Sequence, residues 1–305
     1  MKSILTFLTS IIIASSASAA FFTNSPDADS FVRSNAPTLN YGAAGALSVS
    51  GIYATNASGT TNGAFDTFMR FNSAAMVTSL NSVFGLNNWV IGGARLVLTE
   101  VGQPAQTIFN RDKGSFEIRW IANNTWTEGT GMPNTPTTDG ICYNNEATLL
   151  NTSTDKSLGI FTNAGVNFTN SFQLGLPPAF VSSLTAGGEV DLFLTATDPK
   201  IGFTFNSQNF TSSPAVRPFL IISAVPMPGI TSFNIATTNL VFAGTNGVAG
   251  GTYYVLGSTN MALPLSQWLP VVTNVLTASG PFTITATNAV NGNSPLQQFF
   301  ILQTQ

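Results

Sequence analysis

The sequence predicts an all-β protein with two modules, a jelly-roll-like β-sandwich followed by a smaller immunoglobulin-like β-sandwich. Short segments rich in aromatic and β-branched residues recur along the chain, and several alternate apolar with polar side chains as antiparallel strands do. Clusters of Asn, Gly, Thr and Ser separate these segments, as turns require. In addition, 44% of the 305 residues are hydrophobic, including 24 Phe, which is enough to fill two cores.

Residues 1–20 have the organisation of a secretory signal peptide. Lys2 supplies the positive charge, Ile4–Ile13 is a short apolar run and Ala17–Ala19 is a small-residue cleavage pattern. The run is shorter than the roughly 20 residues that cross a bilayer, although a retained N-terminal anchor is the alternative. We therefore expect a secreted bacterial-type protein, extracellular or at the cell surface, with no membrane span after signal removal.

The first module is expected to span residues 21–225. Phe68–Phe71 and Phe116–Trp120 show the alternation that places successive side chains on opposite faces of an antiparallel sheet. The predicted strands are Phe31–Val32, Leu47–Val49, Phe68–Phe71, Arg95–Leu98, Phe116–Trp120, Val190–Leu194 and Phe219–Ile222. Ala74–Phe84 and Ala179–Leu184 are predicted to hold short helical turns.

A change in charge marks the boundary with the second module, expected at residues 226–305. All 13 acidic residues precede residue 199 and the last basic residue is Arg217, so residues 218–305 carry no charged side chain. The predicted linker, Ala224–Gly229, contains two prolines that stop strand pairing. The predicted strands that follow are Ser232–Ile235, Leu240–Phe242, Tyr253–Leu256, Trp268–Val272, Phe282–Thr285 and Phe299–Leu302.

Composition excludes several classes of function. The net charge of −3 gives no basic surface for nucleic acid. The chain has no histidine, which excludes Ser-His-Asp and Cys-His catalysis and histidine-ligated zinc. The single cysteine, Cys142, has no partner for an internal disulfide. We expect a protein that is not an enzyme, and a polysaccharide lyase or hydrolase remains the catalytic alternative.

Six segments of the first module follow one another in a characteristic order. They are Ala28–Arg33, Asn40–Gly42, Phe68–Phe71, Ala94–Leu98, Thr125–Gly129 and Arg217–Ile222. This order resembles the DNRLRE domain, a secreted β-sandwich related to a carbohydrate-binding-module family. The resemblance implies a jelly-roll fold and, for some members, binding of acidic polysaccharides. Gly140–Asn145 also resembles a family segment, but Tyr143 stands where Trp is usual and Glu146 where Pro is common.

The loops between Trp120 and Glu146 carry the residue types that bind sugars. Aromatic faces stack on sugar C–H groups, and amides and carboxylates bind hydroxyl groups. We predict a glycan-binding site formed by Trp126, Glu128, Asp139, Tyr143, Asn144, Asn145 and Arg119. The alternative is that Trp126 and Tyr143 close the end of the sandwich as core residues.

Positive side chains suit an acidic glycan. Arginine binds carboxylates in a bidentate manner, so a groove for uronates is one interpretation of Arg70, Arg95, Arg119, Lys113 and Arg217. Arg70 and Arg119 lie on the polar phase of their strands, however, and the simpler expectation is a solvated sheet face.

No cofactor is required by the sequence, but a structural calcium ion is one expectation. Asp27, Asp29 and Asn40 offer the oxygen ligands that calcium prefers. The alternative is that these side chains cap turns.

The second module suggests a competing function. Its strands lack the charged residues that discourage pairing at sheet edges. Residues 229–305 are therefore expected either to self-associate or bind a surface protein, or to act as a spacer. Under the first alternative the protein is a structural component of a cell surface or extracellular matrix. Tyr254–Met261, followed by Trp268, resembles small C-terminal β-modules of secreted bacterial proteins.

Overall fold

The computed structural model describes residues 19–56, 58–101, 108–164, 169–290 and 298–304. Residues 1–18 of the predicted signal peptide lie outside these ranges. Within them the chain forms two compact units: the described residues of 20–87 and 91–224 make one, and those of 19, 88–90 and 225–304 make the other. The described part contains antiparallel sheets and three short helices, which confirms the predicted all-β sandwich class. No helix in these ranges is long and apolar enough to cross a membrane.

Eleven described strands precede residue 227. They are β1 (Ala20–Asn24), β2 (Ala28–Arg33), β3 (Ala46–Ser50), β4 (Phe65–Asn72), β5 (Trp89–Thr99), β6 (Gly114–Ile121), β7 (Lys156–Asn163), β8 (Thr169–Leu174), β9 (Glu189–Ala196), β10 (Gly202–Asn206) and β11 (Phe219–Pro226). The helices are α1 (Ala74–Phe84), α2 (Tyr143–Glu146) and α3 (Pro178–Thr185).

These strands form two sheets that share a core of aromatic side chains. The four-stranded sheet has the order β1-β11-β5-β8, and the seven-stranded sheet has the order β10-β3-β4-β9-β6-β7 with β2 also paired to β4. Phe172 of the first sheet contacts Phe116 and Phe203 of the second, with ring centroids 5.2 and 6.1 Å apart. Each fully buried Phe stabilises the fold by roughly 1.5–3 kcal/mol, so these contacts hold the sheets face to face.

Residues 122–155, here called the long loop, cover part of the outer face of the seven-stranded sheet. Trp126 of this loop contacts Phe68 of β4, with ring centroids 5.7 Å apart. Arg70 lies on the same face, and its side chain is only 13% exposed because it pairs with Asp191 at 2.9 Å. The expectation of a solvated sheet face is therefore wrong at Arg70, since the long loop packs over that side of the sheet.

The described residues of the second unit form two three-stranded sheets. Its strands are β12 (Gly229–Ala236), β13 (Asn239–Gly247), β14 (Thr252–Ser258), β15 (Leu269–Val275), β16 (Gly280–Ala286) and β17 (Phe299–Thr304). The sheet orders are β12-β13-β16 and β15-β14-β17. One core cluster joins Phe242 and Ile284 of the first sheet to Tyr253 and Val255 of the second. The shared cluster makes this unit a small sandwich.

The predicted strands and both helical turns are all present, but the predicted linker is too long. β11 continues to Pro226, because Ala224 pairs with Ala20 of β1 and the proline stands at the end of the strand. β12 begins at Gly229, so only residues 227–228 lie between these strands.

Candidate functional site

The side chain of Asn40 organises the long loop from a buried position. Its Nδ2 donates hydrogen bonds to the carbonyl oxygens of Glu128 and Ile141, at 2.7 and 2.8 Å. Its Oδ1 accepts hydrogen bonds from the backbone N–H groups of Gly42 and Gly131, at 3.0 and 3.1 Å. One amide thus uses its full capacity of four hydrogen bonds and joins its own segment to parts of the long loop that lie 88 and 101 residues further along the chain.

Glycines make this close approach possible. A Cβ atom at Gly129 or Gly140 would clash with the Asn40 side chain, and one at Gly131 would clash with the Asn40 carbonyl oxygen. Gly129 also has a φ of +79°, a conformation that favours glycine. The glycines of the long loop are therefore explained by packing around a single buried amide.

Glu128, a predicted glycan ligand, points toward neighbouring protein groups. Its Oε1 accepts hydrogen bonds from the Asp29 backbone N–H at 3.0 Å and from Gln208 Nε2 at 2.6 Å. The side chain of Asn209 also donates to this oxygen, at 3.4 Å. Glu128 consequently ties the long loop to β2 and to the segment that follows β10.

Two of the predicted calcium ligands are already committed to protein hydrogen bonds. Asn40 Oδ1 accepts two backbone N–H groups, and Asp29 Oδ2 accepts the Gln208 N–H at 2.7 Å. Asp27 is exposed, and the described residues contain no cluster of three or more acidic or cysteine side chains suited to a metal ion. Calcium stays a prediction, and Asn40 does not fit it because both its acceptor positions are used.

Asp29 itself is an unusual carboxyl group. It is buried, and its Oδ1 has no hydrogen-bond partner among the described residues. Burial raises the pKa of Asp29 well above its usual range; the Gln208 N–H opposes that rise, and the nearby Glu128 adds to it. Arg217 lies close enough to oppose it as well.

Trp126 is a packing residue in this arrangement. It is 4% exposed, and its indole Nε1 donates to Asp191 Oδ1 at 2.8 Å. The Arg70 guanidinium lies over its ring, 4.7 Å from the ring centroid. The ring is therefore enclosed, whereas a sugar needs an open aromatic face.

Tyr143 and Glu146 are the first and last residues of α2, which lies near the buried Asp66 of β4. Burial raises the pKa of Glu146 to about 8, and the charge of Asp66 adds to the rise. Burial also raises the pKa of Asp66 to about 6, opposed by a hydrogen bond with Thr195. Burial also raises the pKa of Tyr143, and the charges of Asp66 and Glu146 add to that rise. The carboxyl partner of Glu146 is thus Asp66, which the sequence analysis did not consider.

Three predicted glycan ligands remain exposed on the long loop: Asp139, Asn144 and Asn145. Asp139 accepts hydrogen bonds from Thr137 and Thr130, which lower its pKa to about 2. Asn145 accepts the Cys142 N–H at 2.9 Å, at the start of α2. Asn144 is anchored by its backbone N–H, which donates to the Pro37 carbonyl at 2.9 Å. Its side-chain amide is presented at the loop surface.

Arg119 is half-buried on β6, with its Nε shielded from solvent and without a hydrogen-bond partner among the described residues. The structure therefore divides the predicted site. Trp126 and Glu128 are used in packing the loop, Tyr143 and Arg119 are half-buried, and Asp139, Asn144 and Asn145 face solvent.

Sequence reasoning missed Asp66, Gln208 and Asn209. The sequence could have indicated Asp66, because this residue lies two positions before Phe68 and therefore on the same face of β4. Gln208 and Asn209 follow β10 in a turn, and no pattern indicated that they meet Glu128, which is 80 residues away in the chain.

Fold and loop surface together define a class: an all-β protein of two sandwich units, with an amide-rich loop fixed on one sheet of the first. No protein-family model matches the sequence, and no curated protein matches it. Among solved structures, the β-glucuronidase of Ruminococcus gnavus overlaps 93% of this chain and 44% of its own, with 8% identity and a TM-score of 0.24. The chain spans less than half the length of that protein, and so low a TM-score does not establish a shared fold.

Proposed function

We propose that this is a secreted, non-catalytic protein that binds an extracellular polysaccharide through the long loop of its first unit. The proposal includes the signal peptide at residues 1–20, the DNRLRE-like nature of residues 21–225 and the immunoglobulin-like nature of residues 226–305. The six ordered segments of the first module support it, because the family they resemble is related to carbohydrate-binding modules.

The observation that carries the proposal is the fixed conformation of the long loop. Asn40 holds the loop through hydrogen bonds to Glu128, Gly131 and Ile141. A preorganised loop loses little conformational entropy on binding, so exposed amides at its surface bind sugar hydroxyls at lower cost. Asn144 is such an amide, with its backbone tied to Pro37.

Affinity electrophoresis of the full chain against neutral and uronate-containing polysaccharides tests this function. We expect retardation by at least one polysaccharide, with no shortening of the polymer afterwards. Asn144→Ala should weaken retention about tenfold, which corresponds to about 1.4 kcal/mol. Asn234→Ala, which removes an exposed amide from β12 of the second unit, is the matched control and should bind normally. Shortened polymer would instead indicate a lyase or hydrolase.

A structural role is the second candidate, and exposed apolar side chains of the second unit favour it. Phe233 of β12 is 69% exposed and Leu269 of β15 is 73% exposed. Both strands lie at sheet edges, and residues 218–305 contain no charged side chain that would oppose edge pairing.

Analytical ultracentrifugation of the full chain tests the structural role. A protein that assembles through these strands should show concentration-dependent dimers that Phe233→Lys or Leu269→Lys abolishes. Ile160→Lys, at a residue of the first unit that is 65% exposed, should leave assembly unchanged. A monomer at all concentrations would exclude assembly through copies of this chain.

A further inference from the structure

The outer face of the four-stranded sheet carries a shallow groove of about 170 Å³. Among the residues that line the groove are Phe21, Gly93, Arg95, Gln173 and Ser223. It lies on the sheet that the long loop does not cover, so it is distinct from the loop surface described above.

Strand register builds this groove. Phe21 of β1 stands opposite Ser223 of β11, and Arg95 of β5 stands opposite Gln173 of β8. Their sequence neighbours Ile222, Leu96 and Phe172 are buried in the sandwich core, so these four side chains project from the other face.

Glycine provides the floor of the groove. A Cβ atom at Gly93 would approach Ser223 Oγ to 2.8 Å, so a larger residue would fill the space between β11 and β5. Gly92, the preceding residue, also lines the groove and is exposed. Two residues without side chains therefore leave a depression between Phe21 on one side and Arg95 on the other.

The groove combines the groups that bind an acidic sugar. The Phe21 side chain is 67% exposed and offers an aromatic face of the kind that the buried Trp126 lacks. Arg95 is exposed, and the ion pairs found among the described residues involve Arg70 and not Arg95. Gln173 Nε2 donates to the Ala94 carbonyl at 3.0 Å, which uses one of the four hydrogen bonds its amide can make.

We propose that this groove binds a uronate residue of a polysaccharide, with the sugar ring stacked on Phe21 and the carboxylate paired with the Arg95 guanidinium. Gln173 and Ser223 bind sugar hydroxyl groups. The volume is below the roughly 300–1,000 Å³ of enclosed ligand pockets, and it suits a chain that lies across the sheet. The inference rests on the proposed polysaccharide-binding function and adds to it a second binding surface, on the four-stranded sheet.

Affinity electrophoresis of the full chain in polygalacturonate and in its methyl-esterified form tests the inference, because esterification removes the charge and keeps the sugar backbone. Arg95→Gln should weaken retention in polygalacturonate at least fivefold and have little effect in the ester. Phe21→Ala should weaken retention in both polymers, and Phe21→Trp should preserve it.

Matched controls separate the groove from general surface effects. Tyr53→Ala removes an aromatic side chain that is 62% exposed and lies outside the groove, and Lys200→Gln removes an exposed positive charge. Neither should change retention, and melting temperatures should be unchanged for every variant at an exposed position.

The outcomes distinguish this inference from the proposed function. Retention lost in Asn144→Ala but kept in Phe21→Ala and Arg95→Gln would overturn the groove and leave the function intact. Binding of neutral polysaccharides alone would overturn the uronate site in the groove and leave the proposed function intact. Absence of retention in every polysaccharide would overturn both.

Discussion

Asn40 shows how one side chain can determine the position of a long loop. The Asn40 side chain bonds to the backbone of Gly42, Glu128, Gly131 and Ile141. No charged or aliphatic residue offers two donors and two acceptors on one planar group. The Asn40-Tyr41-Gly42 motif is therefore explained by the geometry of the loop it holds.

Asn40→Ala should destabilise the protein by about 2–4 kcal/mol, because buried backbone groups lose their partners. Urea denaturation monitored by tryptophan fluorescence measures the loss, and we expect the same variant to weaken polysaccharide retention. Asn134→Ala, an exposed residue of the same loop, is the control and should change stability by less than about 0.5 kcal/mol. Equal stability of the two variants would contradict the role assigned to Asn40.

The sequence predicted residue types well and their orientations less well. Trp126 was identified as a key aromatic residue, and core packing was stated as its alternative. Its burial depends on Arg70 and Asp191, which lie 56 and 65 residues away and carry no local signal. Alternation alone placed Arg70 on a polar face, and it gave no information on which loop would cover that face.

The short helix α2 brings a second carboxyl group close to Asp66. Burial raises the pKa of Glu146 to about 8 from 4.5, and that of Asp66 to about 6 from 3.8. The folded protein therefore binds more protons than the unfolded chain between about pH 4.5 and pH 8. Stability from this source is present at pH 4.5 and is lost as the pH rises toward 8.

The free energy of unfolding should thus fall by about 1–3 kcal/mol between pH 5 and pH 8.5. Glu146→Gln should reduce this fall, and the variant should be more stable than the native protein at pH 8.5. Urea denaturation at several pH values measures the effect. Asp27→Asn, at an exposed carboxyl group, is the control and should keep the native pH dependence. An unchanged slope in Glu146→Gln would contradict the raised pKa of Glu146.

Strands with clear alternation were predictable, and those with polar or glycine-interrupted sequences were not. β7 reads Lys-Ser-Leu-Gly-Ile-Phe-Thr-Asn, and its central Gly159 weakens the pattern; β8 contains mainly Thr, Asn, Ser and Gln. Both form because their neighbours β6 and β5 supply hydrogen-bonding edges. Tertiary pairing thus decided these elements where local propensity was weak.

At the scale of the whole molecule, the charged side chains are concentrated in the first unit, and residues 218–305 have none. Every charged residue after Lys2 lies between Asp27 and Arg217, and the polar surfaces argued for glycan binding belong to the first unit. The composition change predicted a boundary near residue 225; the compact unit that contains the residues after Ala224 also includes residues 88–90. What the sequence did not reveal was the groove on the four-stranded sheet, because it requires four strands that are distant in the chain to lie side by side.

Glycan binding is tested most directly by affinity electrophoresis of the full chain in a panel of neutral and uronate polysaccharides, with sizing of each polymer afterwards. We expect retardation in at least one polysaccharide of unchanged length, weakened by Asn144→Ala and unaffected by Asn234→Ala. Migration that no polysaccharide retards would contradict glycan binding and leave assembly through β12 and β15 as the function to pursue.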